Sequence, residues 1–362
     1  MKKSLIDWLM ESSGPIIRYK ILKEIVKSTD LRKAEEELLN DDVVRYWFLK
    51  MPTQIDFNMF HGSFDTNFEN FMGKLVSMGL HAGIEIVDKK TKPYRVWFEN
   101  ELDKSPDRSF KILDPKPSFR PFYLTIVASL LAMAGYVYEP AIQRVLELRL
   151  VALKKMSSKK DYNLYIPWDP PHKEPALAKG RPLVNPSLYE YGSSQFPSIH
   201  DINGFSTFED SKEIDDVINY IMTPEYHKIT PGYGIVFVPP KHYYSMGWDV
   251  MLPGFIRDFN ELDNFDLGML VQRAYLMSHF KKARKSDWLN KAFKHLQSFR
   301  NNCGTYSFPK NYLKESSGYW VTGSHMGLGE DRRKRNWIEI ESTFWMLKLQ
   351  QLIDNKKLND FI

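Results

Sequence analysis

What most limits the fold of this chain is a recurring pair: a very apolar helical stretch closed by a small-residue turn, then a more charged helical stretch. The closing turns read SMGL at 77–80, MAGY at 133–136 and MSHF at 277–280. Ahead of the first, Phe68, Phe71, Met72, Leu75, Val76 and Met78 recur at helical spacing, so Asp65 to Gly79 reads as a helix that Gly79 terminates. Ahead of the second, Phe122 to Ala134 is apolar, ends at Gly135, and has a partner from Pro140 to Lys155. Leu267 to Ser278 and Asp287 to Phe299 form a further pair, and Ile340 to Ile353 is the last strong helix. A helix that is apolar all round must be buried, so alternating such helices with charged ones predicts an inner layer inside an outer one. The expected fold is all-α: a double-layered ring of helical hairpins, an α/α toroid. An open α-solenoid is the alternative that periodicity leaves standing.

The N-terminal fifty residues carry four shorter helices. Leu5 to Met10 is followed by a second that starts at Pro15, where a missing N–H costs nothing. Asp30 caps a third, Leu31 to Leu39, and Asp41 or Asp42 caps a fourth bearing Val43, Val44, Trp47 and Phe48. A further helix is expected at Tyr94 to Leu102. Period-2 alternation is nearly absent, with GIVFV at 234–238 as the one plausible strand. No long Gly/Ser or charged linker interrupts the chain, so residues 1–362 are expected to form one domain, with 1–50 packing onto or completing the ring.

Composition narrows the function classes. With 362 residues, 43% of them hydrophobic and 14% aromatic, the chain can bury a large core. A net charge of +5 is small beside 50 Lys/Arg and 45 Asp/Glu, and no basic tract is interleaved with stacking aromatics, so nucleic acid is not an expected partner. The local exception, Arg332, Arg333, Lys334 and Arg335, reads as a solvated loop balanced by Glu330, Asp331 and Glu339, with an anionic ligand as the alternative. Cys303 is the single cysteine, which excludes an intrachain disulfide and fits a reducing, cytoplasmic compartment. Asp7 and Glu11 interrupt the first apolar stretch, unlike a signal peptide, and the uncharged run from Pro121 to Tyr138 is short of a bilayer span. There is no Walker loop, GxGxxG, HExxH or GxSxG, and the nine histidines are scattered singly, so neither a cofactor nor a metal site is expected.

Candidate chemistry lies in loops. The segment Asn301 to Leu349 is rich in glycine and gathers Trp320, His325 and Glu330 ahead of a strong helix, an arrangement that suits a binding site on a rigid scaffold. His61 and Asp65 flank a Gly-Ser turn at a helix start; Asp65 is most simply a cap there, and a ligand-binding pair is the alternative. Trp168 with Asp169, and Tyr243 and Tyr244 with Trp248 and Asp249, set an acid beside large aromatic surface, which can raise a carboxyl pKa and suit a general acid. Catalytic candidates are therefore Asp249, Glu330, His325 and Asp169. His61, Asp65, Trp168, Tyr244, Trp248 and Trp320 are ligand-binding candidates, and all these loops are expected to converge at one mouth.

Three segments carry a family resemblance: DWLMESSGPIIRYKILKEI near the start, HGSFDTNFENFMGKLVSMGL in the first third, and GTYSFPKNYLKE followed by WIEIESTFWMLKL near the end. Their layout resembles bacterial squalene-cyclase-like proteins of the α/α-toroid superfamily that includes terpenoid cyclases and protein prenyltransferases. The resemblance implies a central aromatic-lined cavity holding an elongated apolar or isoprenoid-like ligand, in a divergent enzyme or a binding protein. The catalytic signatures depart from the family. Glu213-Ile214-Asp215-Asp216 is the nearest string to the cyclase Asp-x-Asp-Asp acid, and Asn301 stands where the prenyltransferase zinc ligand Asp would precede Cys303. Two other classes remain: a glycan-active toroid with paired Asp/Glu residues and sugar-stacking aromatics, and a non-catalytic scaffold for protein partners.

Overall fold

A computed structural model describes residues 4–52, 54–56, 59–103, 120–160, 162–170, 172–176, 179–190, 193–194, 197–227, 233–238, 242–247, 259 and 262–354. They are mostly helical. Among them the α-helices in chain order are α1 (Leu5–Ser12), α2 (Pro15–Lys20), α3 (Arg32–Leu39), α4 (Asp42–Lys50), α5 (Phe68–Ser77), α6 (Glu85–Asp103), α7 (Arg120–Leu131), α8 (Pro140–Lys159), α9 (Ile199–Phe205), α10 (Lys212–Ile221), α11 (Pro224–His227), α12 (Asn264–Ser278), α13 (Asp287–Gln297) and α14 (Trp337–Asp354). None of the described helices is long and apolar enough to cross a membrane. Backbone packing divides the chain into two compact units, Met1–Lys90 with Arg257–Ile362, and Thr91–Ile256. Each has its own buried residues and is described by itself.

In the first unit the caps follow the sequence. The Ser4 hydroxyl accepts the Asp7 N–H at 3.1 Å to open α1, and Asp41 accepts the N–H groups of Val43 and Val44 at 2.9 and 3.4 Å to open α4. Helix α2 runs on through a π-helical turn, Ile21–Val26, which ends where Lys27 turns left-handed at φ 55°. Helix α5 starts at Phe68 rather than Asp65, because Asn67 occupies the cap position and Asp65 is used elsewhere. Helix α14 packs against α1, α12 and α13, and buries Trp337, Ile340, Phe344, Trp345, Met346 and Leu349. Full burial of each such apolar side chain contributes roughly 1.5–3 kcal/mol. A buried ion network ties the π-helical turn to α14, with Glu24 Oε1 2.7 Å from Lys20 Nζ and Glu24 Oε2 3.1 Å from Lys348 Nζ. Gln351 adds a 2.7 Å bond to the Glu24 carbonyl.

In the second unit α7 packs on α8 and α9, and α8 packs on α10. Asp201 joins two of these helices. Its carboxylate receives Arg149 Nε at 2.8 Å and NH2 at 3.1 Å, and also accepts the Ser198 N–H in a capping box that starts α9. The strand expected at 234–238 is present with one further residue at its start, and it is not alone. Strands β1 (Tyr165–Ile166), β2 (Leu183–Val184), β3 (Tyr189–Glu190), β4 (Ser193–Ser194), β5 (Tyr233–Val238) and β6 (His242–Gly247) form a four-stranded sheet in the order β1-β2-β5-β6 and a separate β3-β4 pair. HYYSMG in β6 has no apolar alternation, so its strand character comes from antiparallel pairing with β5 rather than from its own pattern.

Candidate functional site

The first unit contains a cavity of about 470 Å³ whose lining comes from α4, α5, the turn at Asp65 and the long loop before α14. It is built around Lys74. That residue sits in the middle of an apolar helix, and its side chain is 0% exposed. A buried ammonium needs all its donors used. Its Nζ lies 2.5 Å from Glu315 Oε2, 2.6 Å from the Gly327 carbonyl and 3.3 Å from the His325 carbonyl.

These partners are fixed by the loop's own backbone. Met326 N–H donates to the Lys314 carbonyl at 2.8 Å and Ser316 N–H to the Ser324 carbonyl at 2.9 Å, so Glu315 and His325 face one another as a bridged pair. His325 Nε2 is 3.0 Å from the Gly318 carbonyl, and because a carbonyl only accepts, that nitrogen carries the hydrogen. Its Nδ1 lies 3.7 Å from Glu315 Oε1, and the ring meets Trp47 edge-on at 5.1 Å. Gly327 is required by close approach: a Cβ there would stand 2.5 Å from Glu315 Oε2 and 2.6 Å from Arg332 NH2.

Three carboxyls around this loop differ sharply. Burial raises the Glu315 pKa, but Lys74 and His325 outweigh it and hold the group down at about 2, so Glu315 stays ionised. Glu330 goes the other way: burial raises its pKa more than the Gly14 N–H, Lys334 and Arg18 lower it. Its Oε1 accepts the Gly14 N–H at 2.5 Å. Its Oε2 is buried without a hydrogen bond, the nearest cation being Lys334 Nζ at 3.9 Å. Behind the pocket, fully buried Glu341 of α14 accepts the N–H groups of Leu328 and Glu330 at 2.8 and 3.4 Å. Burial pushes it up to about 7, only partly relieved by Arg332, whose NH2 is 3.7 Å from Glu341 Oε2. Arg332 itself lies over the Trp337 ring at 4.2 Å and donates to the Leu313 carbonyl at 2.9 Å.

Of the catalytic and ligand-binding candidates from sequence, His325, Glu330 and Asp65 line this cavity, as does Arg332 of the basic run. Asp65 accepts the Tyr46 hydroxyl at 2.7 Å instead of capping α5. His61 is not among the lining residues; its Nδ1 lies 2.6 Å from the buried Glu69 carboxylate. Trp320 is 4% exposed and clamps the loop onto α5, with its N–H on Asn70 Oδ1 at 2.8 Å and its indole N–H on Ser77 Oγ at 3.1 Å. Trp168, Asp169 and Tyr244 belong to the second unit. Trp168 Nε1 donates to the Arg181 carbonyl at 2.9 Å, and its ring is 5.8 Å from that of Tyr243. Asp169 is exposed, and Tyr244 lies in β6 opposite Val236. Trp248 and Asp249 lie outside the described residues. Asp215 sits in the first turn of α10, whose Glu213 pairs with Lys154 at 3.1 Å.

Sequence reasoning missed Lys74, Glu315, Tyr46 and Trp47. Lys74 left one signal, a lone lysine within FENFMGKLVSMG, but its partners are more than 240 residues away. No protein-family model, curated protein or solved structure matches this chain.

Proposed function

We propose that the cavity around Lys74 binds a glycan and cleaves it by general acid catalysis, with Glu330 as the proton donor and Glu315 as the ionised partner. The observation that carries this reading is one pocket wall holding two carboxyls whose environments drive their pKa values apart, the pattern that assigns acid and base roles. Protonated Glu330 gives its proton to the glycosidic oxygen as the C–O bond breaks, the bonding pair leaving on that oxygen. The carboxylates of Glu315 and Asp65 stabilise the cationic sugar, and water then adds, returning a proton to Glu330. Asp42, Asp65, Ser316, Ser317 and Arg332 supply acceptors and donors for hydroxyls.

Among the described lining residues Val43 is the only aliphatic one, and the remaining apolar surface is the flat rings of Tyr46 and Trp47 set among Asp42, Asp65, Glu315 and Glu330. Rings beside acids suit the C–H faces and hydroxyls of a sugar, so the glycan reading is preferred to the one the family resemblance implies. For the toroid, the support is pairwise: an apolar helix packs on a more charged one in α12 with α13 and in α7 with α8. One feature favours binding without turnover, namely that Glu315 is already held by Lys74. The test incubates the protein with cello-, chito- and malto-oligosaccharides and follows binding by calorimetry and cleavage by mass spectrometry. Cleavage that Glu330→Gln slows by about 10²- to 10⁴-fold, with binding kept, supports catalysis. Binding without cleavage leaves a glycan-binding protein, and neither binding nor cleavage refutes the reading.

A further inference from the structure

Phe64 is the residue before Asp65, and its side chain is 72% exposed. Its backbone is held tightly nonetheless. The Phe64 N–H donates to Asn67 Oδ1 at 2.9 Å, and the Phe64 carbonyl accepts both Asn67 N–H and Asn70 Nδ2, each at 2.9 Å. Asn70 is fully buried and also donates to the Gly62 carbonyl at 2.9 Å, while its Oδ1 takes the Trp320 N–H. A loop fixed by two buried asparagines thus presents a large ring to solvent. Binding at such a ring costs little backbone ordering, because these hydrogen bonds already hold the Phe64 backbone.

Phe64 stands one residue from the cavity lining. Asp65, the next residue, lines the cavity, and so does Tyr46, which is 43% exposed and bonded to Asp65. Leu49, 82% exposed, lies three residues beyond Tyr46 on α4, hence on the same helix face. A cavity that combines aromatic rings with four carboxyl groups thus has exposed apolar and aromatic side chains close to it. Ligands that alternate hydroxyl edges with flat C–H faces fit that sequence of surfaces, and a chain of sugar rings is such a ligand.

We propose that Phe64, with Tyr46, forms a stacking subsite for a second or third sugar ring of an oligosaccharide whose terminal unit occupies the cavity. The proposal rests on the glycan reading and adds that the ligand is a chain longer than one ring. Affinity for cello-, chito- and malto-oligosaccharides of one to six units is measured for wild type, Phe64→Ala and Phe64→Trp. Wild-type affinity rises with chain length in at least one series. Phe64→Ala weakens the longest chains about three- to tenfold while leaving the single sugar within about twofold, and Phe64→Trp restores the length dependence. A Phe64→Ala loss that is equal at every length, or no loss at all, overturns the subsite and leaves the glycan reading intact. A wild type that binds none of the three series overturns both. A change in oligomeric state between wild type and Phe64→Ala, with glycan affinities unchanged, reassigns these exposed side chains to contact between copies of the chain and overturns the subsite.

Discussion

Lys74 Nζ and Glu315 Oε2 lie 2.5 Å apart across 241 residues of sequence, and the lysine side chain has no exposure. This pair fastens α5 to the loop that carries His325, Gly327 and Glu330. Removing one member leaves the other charge desolvated, the costly way to break a buried pair. Lys74→Met should cost about 3 kcal/mol in urea unfolding. The double variant Lys74→Met/Glu315→Gln should cost less than the two single changes added together. Additive losses would show that the pair is not energetically coupled.

The buried acids predict opposite pH limbs. Glu341 has its folded pKa raised from 4.5 to about 7, so it binds its proton more tightly when folded. Its contribution is full below about pH 4.5 and is lost as pH rises through 7. Glu24 and Glu315 are both held down at about 2: burial opposes this, but Lys20 and Lys348 act on Glu24, and Lys74 and His325 on Glu315. Their contribution is full above about pH 4.5 and is lost as pH falls toward 2. In melting curves from pH 3 to 9, Glu341→Gln should remove a decline on the order of 3 kcal/mol between pH 4.5 and 7. An unchanged slope in that window would disprove the assignment.

Gly73 touches the Trp320 indole so closely that a Cβ would stand 2.4 Å from Cδ2. Gly73→Ala should therefore destabilise by about 1–3 kcal/mol through overpacking, although alanine is the better helix former. Trp320→Phe in the same background should recover part of the loss. Differential scanning calorimetry reads both, and a Gly73→Ala protein as stable as wild type would mean that the indole moves aside freely.

In the second unit Asp201 serves both Arg149 and the α9 cap. Asp201→Ala should cost about 3–5 kcal/mol, as expected when one member of a buried ion pair is removed. Ser198→Ala, which removes the cap hydroxyl and leaves the ion pair, should cost about 1 kcal/mol. Equal losses in denaturant unfolding would show that the cap, not the pair, is the main contribution.

Local chemistry wrote the helices into the sequence. The 3.6-residue spacing of Phe68, Phe71, Met72 and Leu75, the caps at Asp41 and Ser198, and the turns at Gly79 and Gly135, with φ of 93° and 99°, depend on neighbours within a few residues. Even α9 had its signal in the Ser198 to Asp201 capping spacing, and Lys74 left one as a lone lysine within FENFMGKLVSMG. The placing of the side chains was settled only by tertiary contacts. Trp320, conspicuous as a loop aromatic, is taken up by Gly73, whereas Glu315, inconspicuous in YLKESS, becomes an ionised wall of the cavity because Lys74 is brought to it. Whether Glu330 titrates as an ordinary surface acid or with its pKa pushed up was also decided there. Its pKa depends on desolvation and on the Gly14 N–H more than 300 residues away, and desolvation belongs to the packed molecule rather than to any stretch of chain.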